Sequence, residues 1–266
     1  MNTPTHIDRF DSLAEFTDWC ATAKPVQAGT DHWSGTPNHD AALRLARDGW
    51  HDIRHLVDAT RSLVMEKVAQ VVDLSPAPVM DVCGSVVDMG VYMTGHPECM
   101  IAFTPEPDNK PEKVLRVVMD PGASARYGAE WMANRGGAVA SLLEILQMLG
   151  HSLEIHIVSP VTGVISGKIH TPLIAAHKAG TVCDIDALMF ACGHPSMLRR
   201  MIFTLRGSHG WDMGGTVAIP QDLADEVDAQ IVVNRDEHRL AGEPDAGRQP
   251  TEWVLWHLRR LGLADQ

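Results

Sequence analysis

The chain predicts an α/β fold: a mostly parallel sheet flanked by helices, with an accessory helical segment at the N-terminus. Three observations carry this. Val114, Leu115, Val117, Val118 and Met119 form a nearly continuous apolar run, which suits a strand covered on both faces. Trp131, Leu142, Leu143, Ile145, Leu146 and Leu149 recur at helical spacing and end at Gly150, a helix-stop residue. Leu153-Glu154-Ile155-His156-Ile157-Val158 then begins by alternating, so strand, helix, strand is the economical order. Such a unit is right-handed and presents ligands at the carboxyl end of its first strand. Asp120 and Ser124 stand at that end, after the turn Asp120-Pro121-Gly122, where proline cannot donate to the ladder and glycine accepts the bend.

At 266 residues the chain is long enough for one large domain, or for a core with an accessory segment. Its 45% hydrophobic and 21% charged residues belong to ordinary globular material, and the net charge of −12 argues against nucleic-acid binding through the whole surface. Arg199, Arg200 and Arg206 could form a local basic patch for an anion or a partner, and the favoured reading of them is a solvated face. The cysteines, at 20, 83, 99, 183 and 192, are odd in number and widely spaced with no C-x-x-C pair, so a reduced cytoplasmic setting is expected. Cys192-Gly193-His194 lacks a second pair at zinc-site spacing, which favours a structural cysteine. Met1 to Arg9 is polar, unlike a signal peptide, and no run approaches the roughly 18 apolar residues of a membrane span.

Four segments follow in order. Residues 1–75 read as helical. An amphipathic stretch places Ile7, Phe10, Leu13, Phe16 and Trp19 about every three positions, with Asp11 or Ser12 as cap. A loop then runs from Ala23 to Asn38, where Trp33 either forms a contact surface or, more commonly for such a residue, folds back on the core. Asn38 or Asp40 caps a helix over Ala41 to Asp48 that ends at Gly49, and a second helix runs from about Asp52 to Val72. Ser75-Pro76-Ala77-Pro78 marks the boundary.

Residues 76–112 hold short strands or a hairpin between Val79 and Phe103, followed by a proline-containing linker from Thr104 to Lys113. Asp81, Asp88 and Glu98 fall in its turns, where carboxylates usually make local backbone bonds. Residues 113–235 form the α/β core. After Val158 a turn leads to Val164 to Ile174, read as an antiparallel edge strand on which His170 could face His156. Gly180-Thr181 precedes a helix capped by Asp184. Met201 to Leu205 reads as a central strand, with helix as the alternative, and Ala229 to Val233 is the last strand. Residues 236–266 are a polar, flexible-looking stretch to Gln249 and an amphipathic helix, Trp253 to Leu263, that docks on the core.

The order of elements from about 113 to 235 resembles the von Willebrand factor A fold. In that family a metal at the carboxyl edge of the sheet is held by a D-x-S-x-S loop, a threonine from a second loop and an aspartate from a third. Asp120-Pro121-Gly122-Ala123-Ser124 stands where the first motif would be, Thr181 matches the second and Asp212 the third. The resemblance implies Asp120, Ser124, Thr181 and Asp212 as ligands for Mg²⁺ or Mn²⁺, hard cations suited to oxygen donors, with a place left for a protein partner's carboxylate. The sequence departs from the pattern at Gly122, which removes one hydroxyl, and at Pro121; a fold that has lost its metal is the other reading.

A second resemblance spans most of the chain. Asp81-x-x-Gly84-x-x-Val87-Asp88, Gly95-His96-Pro97-Glu98-Cys99-Met100, Arg135-Gly136-Gly137-Ala138 and His194-Pro195 followed by Arg199-Arg200 are similar to a family of uncharacterised proteins of tailed bacteriophages. It implies a viral origin, with the host cytoplasm as location, and no known activity.

Other chemistry lacks sequence handles: there is no G-x-G-x-x-G, Walker A, G-x-S-x-G or H-E-x-x-H motif. Strand histidines such as His156, His170 and His177 are more often structural than catalytic. Arg135, in an apolar helix, could pair with Asp120 or reach an anion; a side chain snorkelling to the surface is the preferred reading. The functional expectation is a non-enzymatic protein-interaction module using the carboxyl edge. The alternatives are a virion or assembly protein, with homo-oligomers, and a metal-assisted hydrolase.

Overall fold

The computed structural model describes residues 5–26, 30–69, 77–82, 86–104, 114–163, 168–181, 183–211, 213 and 216–264. The chain opens with β1 (Thr5–Phe10), α1 (Leu13–Thr22), α2 (Asp31–Ser34), α3 (His39–Asp48) and α4 (Arg54–Ala69). A small unit follows: β2 (Ala77–Asp81), β3 (Val86–Val87), α5 (Met89–Met93) and β4 (Met100–Thr104). The core then contributes β5 (Val114–Met119), α6 (Ala129–Met148), β6 (Ser152–Val158), β7 (Val161–Thr162) and β8 (Ile169–His177). The chain closes with α7 (Ile185–Gly193), α8 (Phe203–His209), α9 (Gln221–Glu226), β9 (Ile231–Val233) and α10 (Pro250–Arg260).

The α/β class stands. The main sheet has the order β1-β8-β6-β5-β9, with β7 pairing β8. β5 runs parallel to β6 and to β9, and β1 parallel to β8, while β8 is antiparallel to β6. On β5, Leu115, Val117 and Met119 enter the main core and Val118 enters the cluster on the opposite face. Both faces of the strand are therefore covered, as its apolar run, interrupted only by Arg116, requires.

Local capping chemistry is read out as expected. Ser12 accepts the Glu15 amide, Asn38 the Ala41 amide at 2.8 Å, and Asp184 the Ala187 amide at 3.0 Å. Gly49 closes α3 with φ 85°, a left-handed backbone that favours glycine. Asp88 accepts the amides of Gly90 and Val91, a local turn role. α6 is buried along most of its length, packing on the sheet and against α4, α7 and α10. Its crossing with α7 is so close that a Cβ on Gly136 would lie 2.6 Å from the Cα of Gly193.

Several expectations are corrected. Thr5–Phe10, at the head of the segment read as helical, is an edge strand of the main sheet, because its partner β8 lies over 160 positions away and leaves no local signature. β8 is consequently interior to the sheet. His170 pairs with His6 and Val161, while His156 pairs with Ala175, so the two histidines do not face each other. Met201 to Leu205 is helical: a π-helical stretch, Met197–Ile202, runs into α8. Met197, Leu198, Met201, Ile202 and Leu205 share a helix face, and a short apolar run satisfies strand and helix periods alike. The stretch from Asp236 to Gln249 is ordered by its own side chains. Glu243 accepts Trp253 Nε1 at 2.7 Å and Asp245 accepts Trp131 Nε1 at 2.8 Å.

The boundary at Ser75-Pro76 and most of the 104–113 linker fall outside the described residues. Among the described residues no helix is long and apolar enough to cross a membrane, and Cys20, Cys99, Cys183 and Cys192 are free thiols.

Candidate functional site at the carboxyl edge of the sheet

The carboxyl ends of β5, β6 and β9 meet at Asp120, Ser159 and the run Asn234-Arg235-Asp236. The amide of Asp120 continues the ladder to the Val233 carbonyl at 2.9 Å, which brings its side chain to the sheet edge. Asp120 Oδ1 accepts the Gly122 amide at 2.7 Å and the Ser159 hydroxyl at 3.3 Å, and Oδ2 is buried without a hydrogen-bond partner. Ser159 in turn accepts Arg206 Nη2 on its hydroxyl at 2.8 Å and on its carbonyl at 3.1 Å. Ser124 donates its amide to Asp236 Oδ1 at 2.9 Å, and Arg126 reaches the other oxygen at 3.5 Å.

Arg135 is the keystone of this edge. Its guanidinium donates to the carbonyls of Asp120 (2.7 Å), Asn234 (3.0 Å) and Gly122 (3.4 Å), tying the ends of β5 and β9 to α6. Burial pushes its pKa down, and the nearby Asp120 and Asp236 carboxylates oppose that shift. The side chain is 4% exposed, so the snorkelling reading is overturned: it pairs with the backbone of Asp120, where three carbonyls compensate its desolvation.

Arg199 and Arg200 do not form a solvated face. Both are buried because residues 31–36 fold across them. Arg199 donates to the Trp33 carbonyl at 2.5 Å and sits 4.3 Å from that ring's centroid; Arg200 donates to the Thr36 carbonyl at 2.9 Å. Burial brings the Arg199 pKa down to about 10, with Arg235 adding to the shift. Trp33 thus folds back on the core, as its commoner reading has it.

Of the four residues expected to hold a cation, the structure brings together two. Asp120 and Ser124 share the edge. Thr181 is at the opposite end of the sheet, next to Ser152, whose hydroxyl accepts the Gly180 amide at 3.1 Å. The physical reason is the direction of β8: running antiparallel to β6, it carries its carboxyl end to the start of that strand, one strand length of about 20 Å from Asp120. Asp212 lies outside the described residues. Sequence reasoning missed Ser159, Arg235 and Asp236, and it read Arg206 as part of a solvated basic face, whereas the structure buries it against Ser159. Ser159 and the 234–236 run each follow a strand, and the rule placing function at carboxyl ends would have found them; Arg206 carries no such signal.

These residues do not fit a Mg²⁺ or Mn²⁺ ion. Over Gly122, where the A-type motif carries a serine, lies the guanidinium of Arg235: a Cβ there would be 3.3 Å from its Cζ and 2.8 Å from Asp120 Oδ1. Arg206 stands on Ser159 from the other side. Two positive groups already flank the carboxylate, and in a poorly solvated edge each would repel a divalent ion. Among the described residues no group of three His, Cys, Asp or Glu side chains is arranged to hold a metal. What the arrangement does is mechanical: it locks three strand ends and the last segment of the chain with arginine.

Residues 2–265 match the model of a family described as a domain of unknown function, DUF7192. The chain belongs to that family. The match covers both the main sheet and the small one, so the two are parts of one family unit. No curated protein and no solved structure matches the chain.

Proposed function

We propose that this protein is a non-enzymatic assembly module that associates with a second copy of itself through the small three-stranded sheet. The observation that carries the reading is where its apolar surface lies. Among the described residues nine large hydrophobics are exposed, and seven of them, Met80, Val82, Val86, Val87, Met89, Tyr92 and Met93, fall within one stretch of the small unit. Scattered exposed hydrophobics are ordinary, but a concentration of this kind marks an interaction surface.

Charge selects the occupant. From Val86 to Met93 only Asp88 is ionisable as a carboxylate, and it is engaged by the Gly90 and Val91 amides. The chain as a whole carries −12, so two copies approaching through acidic surfaces repel. A face whose one carboxylate, Asp88, is turned to local backbone amides lets them meet with less opposition of like charges than their acidic surfaces would. β3 lies at the margin of the sheet order β2-β4-β3, which places Val86 and Val87 where a partner can approach. The arginine-locked edge at Asp120 supports the non-enzymatic part of the reading, since Asp120 Oδ1, the Ser159 hydroxyl and the Asp236 carboxylate are already engaged inside the fold. A cytoplasmic protein partner, and an assembly role of the kind a phage-encoded chain would have, belong to the same proposal.

Sedimentation velocity over a range of concentrations tests it. The wild type is expected to sediment as a dimer or larger species, and Val87→Lys with Met93→Lys as a monomer with unchanged circular dichroism. A wild type that stays monomeric at every concentration, leaving the face to a different protein, would overturn self-association.

A further inference from the structure

β1 is the last strand on its side of the main sheet, and among the described residues its only strand partner is β8. Its side chains alternate between the two faces. Ile7 packs with Leu223 of α9, and Arg9 pairs with Glu226 of the same helix. His6, Asp8 and Phe10 therefore point the other way, where Phe10 meets Phe16 and Trp19 of α1.

On that face the imidazoles of His6, His170 and His209 gather around the Asp8 carboxylate. His6 stands directly across the ladder from His170, with ring centroids 5.8 Å apart. His209, at the end of α8, brings Nε2 to 2.9 Å from Asp8 Oδ2, and His6 Nε2 lies 3.5 Å from Oδ1. Trp211 closes the group, its ring centroid 5.0 Å from that of His209, 5.1 Å from His170 and 5.9 Å from His6. Trp19 of α1 stacks on His209 at 6.5 Å. The other charges nearby do not balance the histidines. Lys168, just ahead of β8, adds positive charge, and β7, which pairs His170 through Val161, carries no ionisable group. On α1, Glu15 accepts the Asp11 amide and Asp18 accepts Arg47; Arg206 of α8 is turned inward to Ser159.

We propose that this cluster is an acid-sensitive latch: with neutral imidazoles β1 stays on β8, and when His6, His170 and His209 are protonated together the strand detaches while the rest of the sheet stays folded. Like charges directly opposite each other across a ladder are destabilising. Here three imidazoliums and Lys168 would face Asp8 alone, and the strand they push has a single neighbour to hold it. The sign follows from His170. Burial lowers its pKa from the ordinary 6.5, His6, Lys168 and His209 add to the shift, and Asp8 opposes it. The attached strand therefore accepts this proton less readily than the released one, so attachment is fully favoured above pH 6.5 and weakens as the pH falls below it. This inference does not depend on self-association, and either can fail alone.

Hydrogen–deuterium exchange of the full chain at pH 7.5, 6.5 and 5.5, corrected for the intrinsic exchange rate at each pH, tests it, because local opening is read separately from global unfolding. Protection of the β1 amides is expected to fall about tenfold across this range, the size of a repulsion between partly solvated charges at this separation, while that of β5 stays level. His6→Gln, at a side chain 56% exposed, should fold normally and hold the β1 change to about twofold, because glutamine stays neutral throughout. His170→Gln, on the other side of the ladder, should do the same. Protection of β1 that is absent at pH 7.5 or does not vary with pH would overturn the proposal. So would loss in β1 and β5 in parallel, which is global unfolding, or a full wild-type response in His6→Gln.

Discussion

The guanidinium of Arg235 lies directly over Gly122, so that a Cβ at position 122 would come within 3.3 Å of its Cζ and 2.8 Å of Asp120 Oδ1. This crowding is the physical reason that the loop after β5 takes a residue without a side chain at position 122. Gly122→Ser is expected to cost about 1–3 kcal/mol, the usual range for forcing atoms into a filled site. Urea denaturation reads the loss. Adding Arg235→Ala should return part of it, giving a non-additive cycle, whereas strict additivity would show that the two residues do not meet.

Arg135 satisfies three buried carbonyls at the ends of β5 and β9. Arg135→Met removes all of those donors at once and is expected to destabilise by about 3 kcal/mol or more, because each orphaned buried acceptor carries its own desolvation penalty. Arg135→Lys should rescue only a fraction, since an ammonium does not reproduce the planar fork. A methionine variant as stable as wild type in equilibrium unfolding would contradict this account.

The crossing of α6 and α7 rests on two glycines. A Cβ on Gly136 would be 2.6 Å from the Gly193 Cα, while one on the neighbouring Gly137 would meet only the Leu56 side chain at 3.1 Å. Gly136→Ala should therefore lower the unfolding midpoint clearly more than Gly137→Ala, although both trade glycine for a better helix former. The difference between the two isolates the crossing from helix propensity.

His194 is buried between the rings of Trp50 and Phe190, and its Nδ1 accepts the Ser196 amide at 3.1 Å. Burial holds its pKa down to about 4, against an ordinary value of 6.5. The folded state therefore binds this proton less readily than the unfolded chain. Stability from the neutral ring is complete above pH 6.5 and is lost progressively as pH falls toward 4, by roughly 3 kcal/mol. His156, His177 and His257 are shifted down by burial as well, and act in the same direction. Unfolding free energy measured from pH 7.5 to 4 should fall through this window, with a shallower slope in His194→Gln.

Divalent cations provide the sharpest check on the carboxyl edge. With guanidinium groups on both sides of Asp120, thermal unfolding in EDTA, Mg²⁺ and Mn²⁺ should coincide. A metal-dependent rise that disappears in Asp120→Ala would restore the cation site and displace the arginine lock.

Much of the frame was legible because its causes are local. The apolar run of β5, the Asp120-Pro121-Gly122 stop, the Asn38 cap with Gly49 at the other end of α3, and the Asp184 cap of α7 each lie within a few residues of what they determine. The site was less legible. Asp120 and Ser124 were found by their place after a strand, but Asp236 reaches Ser124 from 112 positions away and Arg206 reaches Ser159 from 47, and neither spacing has a period to read.

By itself the sequence determined that a strand, a long helix and a second strand would form, and that Asn38 or Asp40 and Asp184 would cap the helices now seen as α3 and α7, because hydrophobic period and capping are short-range chemistry. Tertiary structure alone decided that Thr5–Phe10 joins the sheet, that β8 runs backwards and carries Thr181 away from Asp120, and that Arg135, Arg199 and Arg206 are interior. Strand partners and the burial of a charge are decided by which distant carbonyls and carboxylates arrive to compensate it, and that depends on the whole fold.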